Sequence, residues 1–343
     1  MRPGVALAVL LVLVASCGGS GLDRQGMLTD VVDAGAPGAL ALVRSDGETW
    51  RGASGLADVE RGVPMRPDLR FRAGSITKSF VAVVVLQLVA EGRIRLDERV
   101  VGEVRVRDLL AHTSGIADLA GLPGVTERHW RPRELVAAAL AEPRVFRRPG
   151  SRFAYSSTNY VLLGLLVQRR TGHTLSEEVE ARILRPLGLR RTGFTPAAGD
   201  VHGYVPPVRD GIVMSRPGRD TWGDDPSWAW ASGDLISTAC DLARFYAALL
   251  HGRLVPRPLL VRMLTPAVER PNRLRYGLGI GIVRTPCGLA YGHTGNVLGS
   301  VSAVWNDRAA RRQVVVMANA FPLGVDADQA LRDLLERSFC EGR

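Results

Sequence analysis

Strand-length apolar runs occupy both ends of this chain and helix-period runs fill its middle, an order that few architectures satisfy. Near the start, Ala39–Arg44 and Thr49–Ser54 flank Ser45-Asp46-Gly47-Glu48, a hairpin signal. Near the other end stand Gly288–Gly292, Gly299–Trp305 and Gln313–Met317, with Asn306-Asp307 turning between the last two. Asp326–Phe339 follows at helical spacing, with Ala330, Leu331, Leu334 and Leu335 on one side. Between these groups, Leu135–Ala141, Asn159–Arg169, Leu175–Ile183, Cys240–Leu250 and Pro258–Leu264 read as helices separated by Pro/Gly-rich loops. The expected fold is α/β of the α+β type. Its mostly antiparallel sheet is formed by both termini and flanked by helices, with an all-helical region inserted at roughly residues 100–235. A cleft between sheet and insertion is the natural ligand site.

Composition narrows the function classes. The chain has 343 residues, 46% hydrophobic and 23% charged, enough for a full globular core. That balance excludes a disordered chain, a collagen-like repeat and a small disulfide scaffold. With 44 basic and 34 acidic side chains the formal charge is +10, but the basic residues are scattered in singles and pairs. No nucleic-acid partner is expected from such a pattern. Of the 44 basic residues, 43 are Arg and one is Lys, at Lys78. Arginine serves wherever a fixed charge suffices. A lone lysine is either a chance survivor or an amine that must be able to lose its proton.

The first residues read as an export signal: Arg2, the apolar stretch Val5–Val14, then Ala15-Ser16-Cys17. The stretch is shorter than the roughly 20 residues of a membrane-spanning helix. Val14-Ala15-Ser16-Cys17 also resembles the bacterial lipobox, in which the cysteine is lipidated. Residues 1–17 are therefore expected to be a lipoprotein signal peptide, 18–25 a flexible tether and 26–343 the folded domain. The domain would be anchored to the outer face of the bacterial cell membrane, or secreted if Cys17 is not lipidated. Outside the cytoplasm disulfides persist, and Cys287 and Cys340 are placed to staple the C-terminal helix. Cys240, inside an apolar helix, is expected to pack as a small hydrophobe. No C-x-x-C and no H-E-x-x-H occurs, so no metal site is expected.

Phe71-Arg72-Ala73-Gly74-Ser75-Ile76-Thr77-Lys78-Ser79-Phe80 opens a helix that continues through Val81–Ala90 and stops at Gly92. Apolar almost all round, this helix must be buried. Yet Ser75 and Lys78 sit in its first turn, at i and i+3, with Cβ atoms about 5–6 Å apart on one face. Ser75 can be a plain N-cap with Lys78 an exposed neighbour. Alternatively it is a nucleophile beside a desolvated amine, at the positive end of the helix dipole.

Two further segments bear on that choice. Tyr155-Ser156-Ser157 lies in a loop leading into Tyr160–Val167, and Tyr291-Gly292-His293-Thr294-Gly295 closes a strand. With Ser75-x-x-Lys78 they resemble the active-site elements S-x-x-K, Y-x-N and K/H-T-G of serine β-lactamase-like and penicillin-binding proteins. Phe71–Lys78, Leu109-Leu110-Ala111-His112-Thr113-Ser114-Gly115, Pro149–Gly164, Ser232–Thr238 and Tyr276-Gly277-Leu278-Gly279 are similar to segments of one group within them. That group holds the class C β-lactamases and the D-alanyl-D-alanine carboxypeptidases, and the segments occur here in its order.

The resemblance implies a β-lactamase/transpeptidase-like fold, with Ser75 acylated, Lys78 its proton partner and Tyr155 the general base relaying to the leaving group. It also implies an oxyanion hole from the backbone N–H groups of Ser75 and Asn296, and a substrate carboxylate held by His293 and Thr294. This chain has Ser157 where the group has Asn, a shorter side chain with a different reach toward the substrate amide. It has His293 where lysine is usual, which disfavours efficient β-lactamase activity. The expected function is an exported serine hydrolase of D-alanyl-D-alanine carboxypeptidase type acting on peptidoglycan peptides. An esterase or weak β-lactamase on small acyl or ester substrates is the alternative on the same scaffold. A non-catalytic penicillin- or wall-fragment-binding protein is the alternative of another class. No cofactor is implied, β-lactams are expected inhibitors, the membrane is met through the lipid anchor, and the chain is expected to act as a monomer. His112 reads as structural, Trp228 and Trp230 as cleft wall or core, and Arg284 as a possible carboxylate contact.

Overall fold

The computed structural model describes residues 22–215, 217–268 and 274–342, so Cys17 and the expected signal peptide lie outside the described residues. Helix α1 (Arg24–Asp33) starts inside the stretch expected to be tether. Asp23 caps it by accepting from the Gly26 N–H at 2.9 Å, and Met27, Leu28 and Val31 are buried beneath it.

Eight antiparallel strands form the main sheet. They are β1 (Gly38–Ser45), β2 (Glu48–Asp58), β3 (Val63–Pro64), β4 (Leu274–Tyr276), β5 (Gly281–Thr285), β6 (Gly288–Val297), β7 (Ser300–Asn306) and β8 (Gln313–Ala318). The spatial order is β4-β5-β6-β7-β8-β1-β2-β3, so the two ends of the chain meet where β1 pairs with β8, Ala39 opposite Ala318. The β1–β2 turn places Asp46 and Gly47 at φ 51° and 86°, the geometry that Asp-Gly favours in a tight hairpin. β8 is buried at every position because both faces of the sheet are covered. Leu40, Leu42, Val315 and Met317 enter the larger core, whereas Ala39, Ala41, Val43, Val314 and Val316 enter a second one, shared with α1 and the C-terminal helix Val325–Cys340. A disulfide joins Cys340, the last residue of that helix, to Cys287 in the β5–β6 turn, with Cα atoms 5.4 Å apart. Cys240 is free and half-buried against the larger core.

The segment between β3 and β4 carries the remaining helices. At its centre α2 (Thr77–Ala90) is buried without a break from Thr77 to Leu86, and Phe80 stacks on Phe245 with ring centroids 3.7 Å apart. Helix α3 (Thr158–Thr171) packs beside it, and Trp230 fills the space next to Gly164, where a Cβ would stand 3.0 Å from the indole. The expectation of an all-helical insertion at 100–235 is corrected on two counts. Helices Ala239–Leu250 and Arg257–Met263 lie beyond it, and the segment holds short strand pairs, such as Phe71–Arg72 with Ile236–Ser237 and Arg99–Val101 with Val104–Arg105. Strands of two or three residues are too short to show a period of two in the sequence. Among the described residues no helix is long and apolar enough to cross a membrane.

Candidate active site

Ser75 lies in a 3₁₀ turn, Gly74–Ile76, that runs directly into α2. Gly74 takes φ 54°, and Thr77 ties the turn by donating its hydroxyl to the Gly74 carbonyl at 2.6 Å. Strand β6 crosses this turn closely. A Cβ on Gly295 would stand 2.0 Å from the Ala73 carbonyl oxygen, and one on Gly74 would stand 2.8 Å from the Asn296 backbone nitrogen. The two glycines thus bring the Asn296 backbone against the turn that carries Ser75. Strand β5 pairs with β6 only as far as Gly292, so residues 293–297 border an open groove.

Lys78 follows one turn along, with no exposed surface. Its Nζ donates to Ser75 Oγ at 2.8 Å and to the Ser232 carbonyl at 2.7 Å, and lies 4.9 Å from the centroid of the Tyr155 ring. Burial pulls its pKa down to about 7, against a smaller upward pull from the Asp118 carboxylate. Near neutral pH a large share of the molecules therefore holds a free amine against the hydroxyl of Ser75.

Tyr155 opens 37% of its surface to the groove, while its ring stacks on His112 with centroids 4.2 Å apart and meets Tyr276 edge-on. Burial of the phenol raises its pKa above the ordinary value; its hydrogen bond with Ser75 opposes this, and the Asp118 charge adds to the rise. A phenol that keeps its proton is a donor beside Ser75, and Lys78 is the neighbouring group whose pKa lies near neutral. Acylation should therefore rise with pH along a limb centred near 7, since the amine is protonated below that value and free above it. A limb beginning only above pH 10, measured as kcat/KM on a p-nitrophenyl ester, would return the base to the phenol.

The beta-lactamase family model matches residues 24–338. The chain belongs to that family. Similar solved structures include the D-stereospecific amidohydrolase from Streptomyces sp., 34% identical with a TM-score of 0.79, over 93% of this chain and 98% of that one. The D-amino acid amidase from Ochrobactrum anthropi SV3 is 28% identical with a TM-score of 0.79, over 92% of this chain and 96% of that one. Esterase EstB of Burkholderia gladioli is 38% identical over 216 residues, 52% of this chain and 55% of that protein. The chain spans about half the length of the curated relatives it matches. It has the mixed α/β fold and large antiparallel sheet that its resemblance implied.

The remaining expected site residues of this family member divide in two. Thr294 and Asn296 are exposed on β6 and line the groove, as does Ser157, whose backbone N–H donates to Asp118 Oδ1 at 2.8 Å. His293 does not serve as expected. It is 6% exposed, its Nδ1–H donates to the Thr294 carbonyl at 2.5 Å, and its Nε2 accepts from the Tyr276 hydroxyl at 2.8 Å. Burial, with the Lys78 charge adding to it, pulls the imidazole down to about 3. It is neutral at any working pH and offers a carboxylate no cation. Asn159, two residues past the family's Asn position, lies below the groove and accepts from Ser114 Oγ at 2.7 Å.

Three further residues shape the site; His112 and Tyr276 lie in segments that carry the family resemblance but without a role of their own there, and Asp118 carries no signal. His112 is fully buried under Tyr155. Its Nδ1 accepts from the Ser156 N–H at 3.1 Å, and its Nε2 has no protein partner among the described residues. Asp118 lines the groove and acts on the charges of both Lys78 and Tyr155. Tyr276 donates its hydroxyl to His293 Nε2, the nitrogen left as acceptor because the Thr294 carbonyl takes the Nδ1–H. Trp228 lines the groove and Trp230 belongs to the core, so the pair splits between its two expected roles.

Proposed function

We propose that the chain hydrolyses small D-amino-acyl amides or esters through an acyl-enzyme on Ser75. One observation carries this reading: next to Ser75 the groove offers a carboxylate, Asp118, and a neutral imidazole, His293, while of the two arginines on its lining Arg332 is already paired with Asp328 on the C-terminal helix. Arg284 lines the groove three residues along β5 from Gly281, about 10 Å from the Gly292 level at strand rise. A substrate carrying a free amino group suits these charges better than a peptide ending in carboxylate. The peptidoglycan carboxypeptidase expected from the motifs is thus the less favoured reading. The relatives named as an esterase, a D-stereospecific amidohydrolase and a D-amino acid amidase support the same preference.

In the proposed reaction Ser75 Oγ bonds to the substrate carbonyl carbon while its proton passes to Lys78 Nζ. The backbone N–H groups of Ser75 and Asn296 receive the carbonyl oxygen as it becomes an anion. When the tetrahedral adduct collapses, the departing amine or alkoxide takes the Tyr155 proton, and the Lys78 ammonium restores it. Water then attacks the acyl ester, giving its proton to Lys78, and the released Ser75 oxygen recovers its own. The short Ser75–Lys78 contact favours this reading over a silent binding protein.

A panel of D-phenylalanine amide, a p-nitrophenyl ester, a D-Ala-D-Ala peptide and nitrocefin, run against Ser75→Ala, tests the reading. The amide and the ester should turn over and the variant should not. Faster turnover of the D-Ala-D-Ala peptide would install the carboxypeptidase reading instead. Penicillin should leave a slow covalent adduct that mass spectrometry finds on the wild type and not on Ser75→Ala.

Export and lipid anchoring at Cys17 form part of the proposal, supported by the n-region, apolar stretch and lipobox-like end of residues 1–17 and by the Cys287–Cys340 disulfide. Palmitate labelling that persists in Cys17→Ser would remove the anchor.

A further inference from the structure

A second cavity, of about 560 Å³, shares no lining residue with the groove. Five arginines line it: Arg99 and Arg105 from the short hairpin ahead of helix Val106–Leu110, Arg107 from that helix, Arg148 from the loop leading to Tyr155, and Arg262 from helix Arg257–Met263. The basic residues are scattered along the sequence, and the fold gathers these five from three distant stretches.

Like charges so gathered repel one another unless something offsets them. The protein offsets only part. Asp97 pairs with Arg105 and Arg107. Of the two carboxylates on the lining, Asp108 already accepts from the Arg105 N–H at 2.9 Å and from the Thr113 hydroxyl at 3.3 Å, which leaves Glu103. Among the described residues the side chains of Arg99, Arg148 and Arg262 have no hydrogen-bond or ion-pair partner. Three guanidiniums without a partner among the described residues, set around one concavity, leave an excess of positive charge and a set of planar donor forks. Such forks match the oxygens of a phosphate two at a time. A free or terminal phosphate also brings about −1.5 to −2 charges, whereas a phosphodiester brings one, as a carboxylate does, and relies on the fork geometry alone.

We infer that this cavity binds a phosphate-bearing anion, supplied either as a free phosphate or pyrophosphate or as a phosphodiester headgroup. The test is calorimetric titration of the full chain with pyrophosphate and, separately, with glycerophosphoglycerol, in about 150 mM salt so that long-range attraction is screened. Saturable binding of at least one is expected. The double variant Arg148→Gln/Arg262→Gln should weaken it by roughly tenfold or more. Arg169→Gln/Arg209→Gln removes the same charge from exposed positions outside the cavity and should leave the affinity within about twofold. Tighter binding of pyrophosphate assigns a free phosphate; tighter binding of the diester assigns a headgroup. Ester turnover at the wild-type rate in both double variants confirms that they fold. No saturable heat with either compound, or equal weakening in the two double variants, overturns the site.

Discussion

Lys78→Arg should lower the rate of Ser75 acylation by about three orders of magnitude while the protein remains folded. A positioned general base contributes roughly 10²–10⁴-fold, and a guanidinium never gives up its proton at accessible pH. Lys78 has no exposed surface and its amine already meets Ser75 Oγ and the Ser232 carbonyl, so the longer arginine also has nowhere to go without pushing the hydroxyl aside. The measurement is the burst of p-nitrophenol on mixing enzyme with ester, alongside the mass of any penicillin adduct. A burst rate within tenfold of wild type would mean that the proton leaves Ser75 by another route.

Gly74→Ala should cost about 10²–10³-fold in kcat/KM, comparable to removing one donor from an oxyanion hole. The added methyl would sit 2.8 Å from the Asn296 nitrogen and 3.0 Å from the Gly295 carbonyl carbon, so β6 must back away from the turn. Backbone strain also contributes, because Gly74 has φ 54°. Gly62→Ala separates the two effects: its φ of 63° is similar, but a Cβ there meets nothing within 4 Å. It should lose some thermal stability and none of its turnover. If Gly74→Ala hydrolysed the ester as fast as Gly62→Ala does, the crossing of β6 over the Ser75 turn would have no catalytic meaning.

Much of this site is written locally. Ser75 and Lys78 are three residues apart on one helical turn, and the apolar run after them dictates that the turn is buried, so the lowered pKa of Lys78 follows from a stretch of sequence read alone. The strands around Asp46-Gly47 and Asn306-Asp307 are equally local, since turn chemistry and period speak within a few residues. What was not legible depends on contacts between distant segments. His112 reads as the end of a helix, but the chain takes φ 56° there and the Tyr155 loop folds over it, with the Ala154 N–H donating to the His112 carbonyl at 2.9 Å. His293 stands where the group's cation usually is, and only its burial, with the Tyr276 hydroxyl of another strand against Nε2, reveals a neutral acceptor. Helix α1 is held by burial against the sheet rather than by a strong pattern of its own, so its start was not legible in the sequence.

The pairing of β1 with β8 has a consequence for how the molecule matures. A nascent β1–β2 hairpin must wait for its neighbour until the distant strand β8 has been made, so the seam between β1 and β8 closes late and slowly. Until then α2 lacks the surface on which it rests, and the apolar residues of its buried face stay open to wrong partners.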